Sequence, residues 1–295
     1  VAITYSFIFG AMFGDVGQGL VLFLGGLFLY KTKKMDLAGI ISCAGVFSVF
    51  FGFMYGSFFG FEDVLKAIWL KPMNQMMDVP LVGRLNAVFV IAIGFGMFII
   101  LICMVFNIIN SIRRGDTEKT WFDSNAVAGL VFYGSIVLTI GLFISGKKLP
   151  AAAILVIMFG VPLLLMFLKE PLTNLVEKKS KILPEQKGMF FVQSFFELFE
   201  VLLSYLSNTL SFLRIGAFAV SHAAMMEVVL MLAGATNGGN PNWIVVVLGN
   251  IFVCAMEGLI VGIQVLRLEY YEIFSRFYAG NGREFKPFMK AAHKN

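Results

Sequence analysis

The centre of the longest apolar stretch in the chain reads Ser207-Asn208-Thr209-Leu210-Ser211-Phe212-Leu213-Arg214-Ile215-Gly216-Ala217-Phe218. The stretch runs from Phe190 to Ala235, and no Asp or Glu lies within ten residues of Arg214 on either side. An arginine keeps its proton in proteins, so it is charged wherever it is placed. At bilayer depth this costs at least a few kcal/mol unless a partner or water meets it. Arg214 is therefore a candidate functional residue, and its counter-ion is expected on another chain.

The composition is that of a polytopic membrane protein. Of the 295 residues, 59% are hydrophobic and 14% are charged, and the mean hydropathy is +0.85; soluble domains carry about 25% charged residues. The basic residues cluster in short loops, which argues against nucleic acid as a partner and for a lipid bilayer. Cys43, Cys103 and Cys254 lie in apolar segments, so we expect free thiols and neither a metal nor another cofactor. No nucleotide-binding or hydrolytic motif occurs, so no catalytic site is predicted.

Apolar blocks that could each cross a hydrocarbon layer of about 30 Å predict an all-α membrane helix bundle. The blocks span residues 2–30, 37–60, 85–110, 125–145, 150–169, 188–235 and 243–277. Glycines and Asp15 interrupt the first block between Gly14 and Gly19, and a break there gives about eight transmembrane helices. The competing place for an extra break is near Ser207 and Asn208. The chain begins inside an apolar run without Met, and we expect it to be part of a longer protein.

The distribution of basic residues predicts the orientation. Loops 31–36, 111–123, 169–187 and 276–295 together hold sixteen Lys and Arg, whereas loops 61–84, 146–149 and 236–242 hold five. Cytoplasmic loops carry the excess of basic residues in membrane proteins. The first group of loops, and with it the C-terminus, is therefore predicted to be cytoplasmic.

The chain divides into four predicted parts. We expect scaffold helices over residues 1–170, a cytoplasmic loop over 171–187, a long helix hairpin over 188–280 and a cytoplasmic tail over 281–295. A single proline-free helix over 188–235 extends about 70 Å, so it must tilt, bend or project from the bilayer. An Asn- and Gly-rich turn follows it. The last two helices are therefore predicted to be long, tilted and antiparallel.

Two polar stripes lie on these helices when they are projected at 100° per residue. The first contains Glu200, Ser207, Ser211, Arg214 and Ser221, and the second contains Glu257, Gln264, Arg267 and Tyr271. Facing stripes would line an aqueous passage; the alternative is an internal salt bridge between Glu257 and an arginine. His222, beside the first stripe, is either a proton relay, since imidazole titrates near neutral pH, or a buried hydrogen-bonded side chain. Glu227 lies off the stripe and would polarise an outer water entrance.

Small residues recur every four positions at Ser48, Gly52, Gly56 and Gly60, which predicts a close helix-packing face. Asp15 has a different predicted role, in the interruption of the first block. We expect it to end one helix and to accept backbone N–H bonds at the start of the next, in preference to binding an ion.

These segments resemble the membrane domain of subunit a, also called subunit I, of vacuolar- and archaeal-type rotary ATPases, over the whole chain. Phe9–Gly19, Gly45–Tyr55 and Pro162–Leu172 are similar to successive membrane segments of that family. The resemblance is most specific over residues 207–223, where the family's essential arginine falls on Arg214 and its histidine on His222.

Further matches and departures accompany this segment. Glu257 and Arg267, ten residues apart, match the family's membrane glutamate and second arginine. Phe212 stands where the family often has tyrosine, and Ile215-Gly216 replaces Leu-Trp, changes that look like the prokaryotic branch.

The resemblance implies a stator subunit that passes H⁺ or Na⁺ through two aqueous half-channels to and from the carboxylates of a rotating proteolipid ring of c or K subunits. The ion-translocating residues would be Arg214, Glu257, Arg267 and His222, and the lining would include Ser207, Ser211, Ser221, Gln264, Glu200 and Glu227.

The remaining implications concern partners and location. Peripheral-stalk subunits would bind through the family's N-terminal cytoplasmic domain, which has no counterpart in this sequence, and the soluble ATPase sector would connect indirectly. The membrane would be a prokaryotic plasma membrane. The alternative function is a secondary transporter whose intramembrane arginine binds an anionic substrate, and a further one is a structural anchor in which Arg–Glu pairs fix helix register.

Overall fold

The computed structural model describes residues 2–61, 64–73, 75–79, 83–147, 151–176, 187–235, 241–278 and 280. Nearly all of this is helix, which confirms the predicted all-α membrane bundle. The first eight helices are α1 (Ala2–Met12), α2 (Val16–Lys33), α3 (Asp36–Tyr55), α4 (Ala87–Arg114), α5 (Thr117–Trp121), α6 (Val127–Ile144), α7 (Ala152–Phe167) and α8 (Lys169–Val176). The remaining ones are α9 (Lys187–Ser211), α10 (Leu213–Leu232), α11 (Trp243–Leu268), a π-helical turn (Glu269–Phe274) and α12 (Ser275–Phe277).

Five helical segments of the described chain are long and apolar enough to cross a membrane. They are Asp36–Tyr55, Ala87–Arg114, Val127–Ile144, Gly188–Leu232 and Trp243–Phe277. The number becomes six if α7 and α8, which meet at 74°, count as one span. Pro171 explains that bend, because it has no N–H to donate to the Phe167 carbonyl. The predicted number of eight is not confirmed, since α1 has only 11 residues and α2 ends in Lys31 and Lys33.

The break predicted in the first apolar block is confirmed. α1 ends at Met12 and α2 begins at Val16, and Asp15 caps α2 by accepting a bond of 2.9 Å from the Gln18 N–H. Three more donors come from the loop after α3: the Ser57 hydroxyl at 2.6 Å and the N–H groups of Phe59 and Gly60, both at 3.0 Å. The predicted cap is therefore confirmed, and the fully buried carboxylate of Asp15 also ties the end of α3 to the start of α2.

Close packing of α2 on α3 depends on missing side chains. A Cβ on Gly52 would lie 2.3 Å from the backbone nitrogen of Val16, and Ser48 is fully buried. The predicted packing face is thus confirmed for these two positions but wrong for Gly56 and Gly60. Helix α3 ends just before Gly56, and both glycines have positive φ, 74° and 82°, in the region that glycine adopts without steric cost.

A short β-hairpin precedes α4 and was missed by the sequence analysis. Its strands are β1 (Met76–Val79) and β2 (Gly83–Asn86), which pair antiparallel with Met76 opposite Asn86. Strands of four residues give too little periodicity to be recognised in a sequence. The Asn86 side chain then caps α4 by accepting a 3.0 Å bond from the Val88 N–H.

The predicted long hairpin is present. α9 and α10 form a 45-residue helix, Gly188–Leu232, about 68 Å long at 1.5 Å per residue. A local irregularity at Phe212 does not interrupt it, so the competing break near Ser207 is absent. The second helix, Trp243–Phe277, returns along α10. Residues 177–186 of the predicted loop, 236–240 of the predicted turn and the tail 281–295 lie outside the described residues.

Substitution of Gly52 by alanine should destabilise the bundle by about 1–3 kcal/mol, because the new methyl group meets backbone that cannot move aside. Gly94→Ala is the matched control, since a Cβ there meets nothing within 4 Å and alanine favours the helix. Thermal unfolding in detergent measures both. Equal melting temperatures for the two variants would contradict the packing described here.

Candidate functional site

A fully buried phenylalanine fixes the start of α10. The Phe212 N–H donates to the Thr209 carbonyl at 3.3 Å, and the Ile215 N–H donates to the Phe212 carbonyl at 3.0 Å, so the chain tightens there to i→i+3 bonding. The phenylalanine ring lies against Gly96 of α4, where a Cβ would come within 2.2 Å of it. The missing side chain at Gly96 lets α10 pack on α4 and sets the position of Arg214 on the first turn.

The Arg214 guanidinium is only partly covered by its own chain. Its Nη1 is buried and has no hydrogen-bond partner, and Arg214 forms no salt bridge with any residue that the structure describes. The charges of Arg267 and Glu272 act on it. An acid of the same chain therefore does lie nearby, 58 positions further on. Glu272 was not predicted, because closeness along the sequence does not show which residues of two packed helices meet, although an acid inside the last apolar block was visible.

The structure brings His222 and Glu257 together. His222 Nδ1 and Glu257 Oε2 are 2.6 Å apart, and both side chains are buried. The other two polar atoms, His222 Nε2 and Glu257 Oε1, have no hydrogen-bond partner among the described residues. The alternative reading, a salt bridge between Glu257 and an arginine, is therefore wrong for the described residues. Glu257 contacts His222 instead, two turns beyond Arg214 on α10.

A small polar cavity adjoins the buried histidine. It has a volume of about 20 Å³ and is lined by Gly14, Tyr55, Ser57, Gly60, Pro72, Ala219, His222, Ala223 and Met226. A space of roughly 10–15 Å³ is enough for one water molecule if polar partners are present. Tyr55, Ser57 and His222 supply such partners, so the cavity has room and polar groups for about one water molecule beside His222.

A second polar contact lies further along α10 and α11, beyond the His222–Glu257 pair. Gln18 Nε2 donates to Asn250 Oδ1 at 2.8 Å and lies 3.1 Å from Met226 Sδ. Gln18 and Asn250 are both buried, and Gln18 belongs to the turn that Asp15 caps. This contact joins α2 to α11, the helix that carries Glu257.

The remaining residues of the predicted stripes lie at or near the surface of the chain. Glu200, Ser207, Glu227, Arg267 and Tyr271 are exposed, and Ser211, Ser221 and Gln264 are half-buried. Of these, Ser211 lies near Glu272. The structure thus places Ser211 and Arg214 where α9 meets α10, and His222 with Glu257 about two turns further along α10.

Between these two groups lies an apolar layer. It consists of Ile215 on α10 and Val261 and Val265 on α11, which are buried in one hydrophobic cluster. Arg214 and His222 are eight residues apart, which corresponds to about 12 Å along the helix. We call this set the apolar layer.

Arg276 is a buried charge that the sequence analysis assigned to the cytoplasmic loop 276–295. Only 7% of it is exposed. Its Nη1 donates to Asn125 Oδ1 at 3.0 Å, and its guanidinium carbon lies 5.9 Å from the centre of the Tyr205 ring. The assignment of Arg276 to a loop was wrong because the helix continues to Phe277 and packs on α4. Arg276 therefore lies on the end of this helix that packs inside the bundle.

Comparison with known proteins agrees with this architecture. Residues 169–290 match the V-type ATPase 116kDa subunit family. Over 97% of its length the chain is 28% identical to the A-type ATP synthase subunit I of Aeropyrum pernix, and over 98% it is 27% identical to that of Pyrococcus horikoshii. It covers 46% and 42% of those two proteins.

A more distant match lies outside the archaea. The chain is 22% identical, over 97% of its length, to 48% of the vacuolar proton translocating ATPase 100 kDa subunit of Dictyostelium discoideum. The chain therefore spans about half the length of the curated relatives it matches. The chain is therefore similar, over nearly its whole length, to the subunit I proteins of archaeal A-type ATP synthases.

Proposed function

We propose that the chain is the stator subunit of a rotary ATPase membrane sector. In this role it passes H⁺ or Na⁺ through two aqueous half-channels to and from the carboxylates of a rotating proteolipid ring. The chain itself carries no catalytic site; nucleotide chemistry belongs to the soluble sector of the complex. Its partners are the ring, the peripheral stalks through a cytoplasmic domain, and the lipid of a prokaryotic plasma membrane.

The observation that carries this proposal is the partly exposed guanidinium of Arg214 in an apolar helix. Its buried Nη1 has no partner among the described residues, and Arg214 forms no salt bridge within that part of the chain. An arriving carboxylate supplies the missing negative charge. The guanidinium favours the ionised form of that carboxylate, so the carboxylate releases its ion beside Arg214.

The outer half-channel in this proposal ends at the His222–Glu257 pair. The cavity of about 20 Å³ beside His222 leads towards the loop after α3, and the exposed Glu227 polarises the entrance. A histidine bonded to a carboxylate can accept a proton on one nitrogen and release one from the other. Ser221, half-buried next to His222, extends this polar path towards the ring.

The inner half-channel follows the opposite end of the hairpin. Glu200, Ser207 and Ser211 form its polar lining on α9, and Gln264 and Arg267 form it on α11. The apolar layer separates the two half-channels, so an ion crosses only on a ring carboxylate. Arg214 opposes direct leakage because a fixed positive charge repels a cation in a medium of low dielectric constant.

Substitution of Arg214 by lysine should lower ATP-driven ion pumping of the assembled complex by about tenfold or more. Lysine keeps a charge but loses the rigid fork of donors and can be deprotonated when buried. Fluorescence quenching of a pH-sensitive dye in vesicles measures pumping of H⁺, and tracer uptake measures Na⁺. Arg113→Lys, at the exposed end of α4, is the control. Pumping by Arg214→Lys at the rate of the control would refute this mechanism.

Substitution of Glu257 by glutamine should reduce pumping by less than substitution of Arg214 by glutamine. The amide still hydrogen-bonds His222, and water in the neighbouring cavity can replace part of the path, whereas nothing replaces the fixed charge of Arg214. The same vesicle assay compares the two variants at equal amounts of assembled complex. An equal or larger loss for Glu257→Gln would mean that ion pumping does not depend more on Arg214 than on Glu257.

The alternative function is a secondary transporter in which Arg214 binds an anionic substrate. Purification in mild detergent distinguishes a stator subunit from a secondary transporter. A stator brings down a small, very hydrophobic ring protein, whereas a transporter purifies without one and binds a solute. The inverted repeats with matching broken helices that such transporters show are not evident in the sequence.

A further inference from the structure

Two buried amide side chains meet between α2 and α11, and the groups around them fix which way each amide points. Asn250 Nδ2 donates to the Val246 carbonyl of its own helix at 2.9 Å, so Asn250 presents its oxygen to α2. Gln18 Nε2 donates to that oxygen at 2.8 Å. The oxygen and nitrogen of a side-chain amide are assigned from such hydrogen bonds. Because Gln18 uses its nitrogen towards Asn250, its oxygen has to find a donor elsewhere.

That oxygen, Gln18 Oε1, is a buried acceptor without a donor in the part of the chain that the structure describes. Gln18 is only 1% exposed. Its place is fixed as well, since its N–H donates to the Asp15 carboxylate that caps α2. Buried polar atoms almost always have a hydrogen-bond partner, which is ordered water where the protein supplies none. We therefore expect a water molecule at Gln18 Oε1.

The amide pair shares a face of α11 with the His222–Glu257 pair. Asn250 and Glu257 are seven positions apart, which in a helix separates them by about 20° in projection and about 10 Å along the axis. Asn250 is the nearer of the two to the start of α11, so a molecule that enters from that end meets the amides first. His222 Nε2 and Glu257 Oε1 also lack partners among the described residues. Two successive polar layers thus contain buried atoms that require water.

One side chain touches both layers. Met226 Sδ lies 3.1 Å from Gln18 Nε2, and Met226 also lines the cavity of about 20 Å³ beside His222. Methionine is unbranched and adapts its shape to the space around it. A water molecule at Gln18 is therefore separated from the cavity beside His222 by little more than one flexible side chain.

We propose that Gln18, on the scaffold helix α2, is a further residue of the outer half-channel, and that its Oε1 holds a water molecule on the path to the His222–Glu257 pair. This inference rests on the proposed function. Asn250 is a positioning residue, because it binds the Gln18 nitrogen and so directs the oxygen to the path. The channel then has a wall on α2 in addition to the walls on α10 and α11. A purely structural role, in which the amide contact only joins α2 to α11, predicts a different response to apolar substitution.

The first test compares Gln18→Met, Asn250→Leu and the double variant in the assembled complex, reconstituted in vesicles. Exchange of both partners of a buried hydrogen bond for apolar groups of similar shape can leave stability nearly unchanged. We expect the double variant to retain the ring and to melt near the temperature of the unaltered complex. Its ATP-driven ion pumping should nevertheless fall by about fivefold or more, because methionine cannot replace the hydrogen bond to water. Normal pumping by the assembled double variant would overturn the inference and leave the structural role.

The second test measures whether water reaches position 18, and it decides the question if the double variant does not assemble. Gln18→Cys is made in a chain with Cys43, Cys103 and Cys254 changed to alanine, and the matched control keeps only Cys103, a buried thiol of α4 that is 3% exposed. A small, positively charged methanethiosulfonate reagent is enclosed in the vesicle lumen, which the outer half-channel faces. We expect position 18 to be labelled, with loss of pumping, while Cys103 stays unlabelled. Labelling of position 18 that is no faster than that of Cys103 would contradict the inference.

Arg214→Gln in the same vesicles separates this inference from the proposed function. If Arg214→Gln pumps normally, the proposed function fails. If Arg214→Gln does not pump, but the Gln18 variants pump normally or position 18 is labelled no faster than Cys103, only the role of Gln18 fails.

Discussion

A guanidinium that cannot lose its proton, placed in a helix whose surroundings are hydrocarbon, is the constraint on which the rest of the structure depends. Arg214 stays charged at any pH a cell reaches, so the fold must supply counter-charge, water or exposure. The charge of the Glu272 carboxylate acts on Arg214, and the side chain of Arg214 is itself only half-buried. In the proposed function, a carboxylate of the partner ring supplies further counter-charge.

The scaffold helices fix the position of the Arg214 charge. α10 packs on α4 only because Gly96 makes room for the ring of Phe212. The polar groups around His222 depend on a different feature, the buried carboxylate of Asp15, which holds the loop after α3 against the start of α2. That loop lines the cavity beside His222. Small residues and one capping acid thus position the polar groups that the long hairpin carries.

Local features of the sequence predicted local features of the structure. The Gly14–Gly19 interruption, the cap at Asp15 and the long proline-free helix could be read from spacing alone, because each depends on neighbouring residues. The regular glycine spacing failed at Gly56, since periodicity does not show where a left-handed residue ends a helix. The His222–Glu257 contact and the approach of Glu272 to Arg214 span 35 and 58 positions. Such pairs depend on how α10 and α11 dock, which helical projection of single segments does not determine.

The order of polar and apolar groups along the hairpin gives a physical reason for the two separate half-channels of the proposed function. Val261 and Val265 are fully buried, and with Ile215 they occupy the about 12 Å along the helix that separate Arg214 from His222. Water in such a layer would find no hydrogen-bond partners, so it is excluded. A bare ion would have to lose its hydration there, at a cost far above thermal energy. In the proposed function, a carboxylate on the neighbouring ring, neutral when loaded, passes outside this layer and avoids that cost, and its charge changes near Arg214 at one end and near the His222–Glu257 pair at the other.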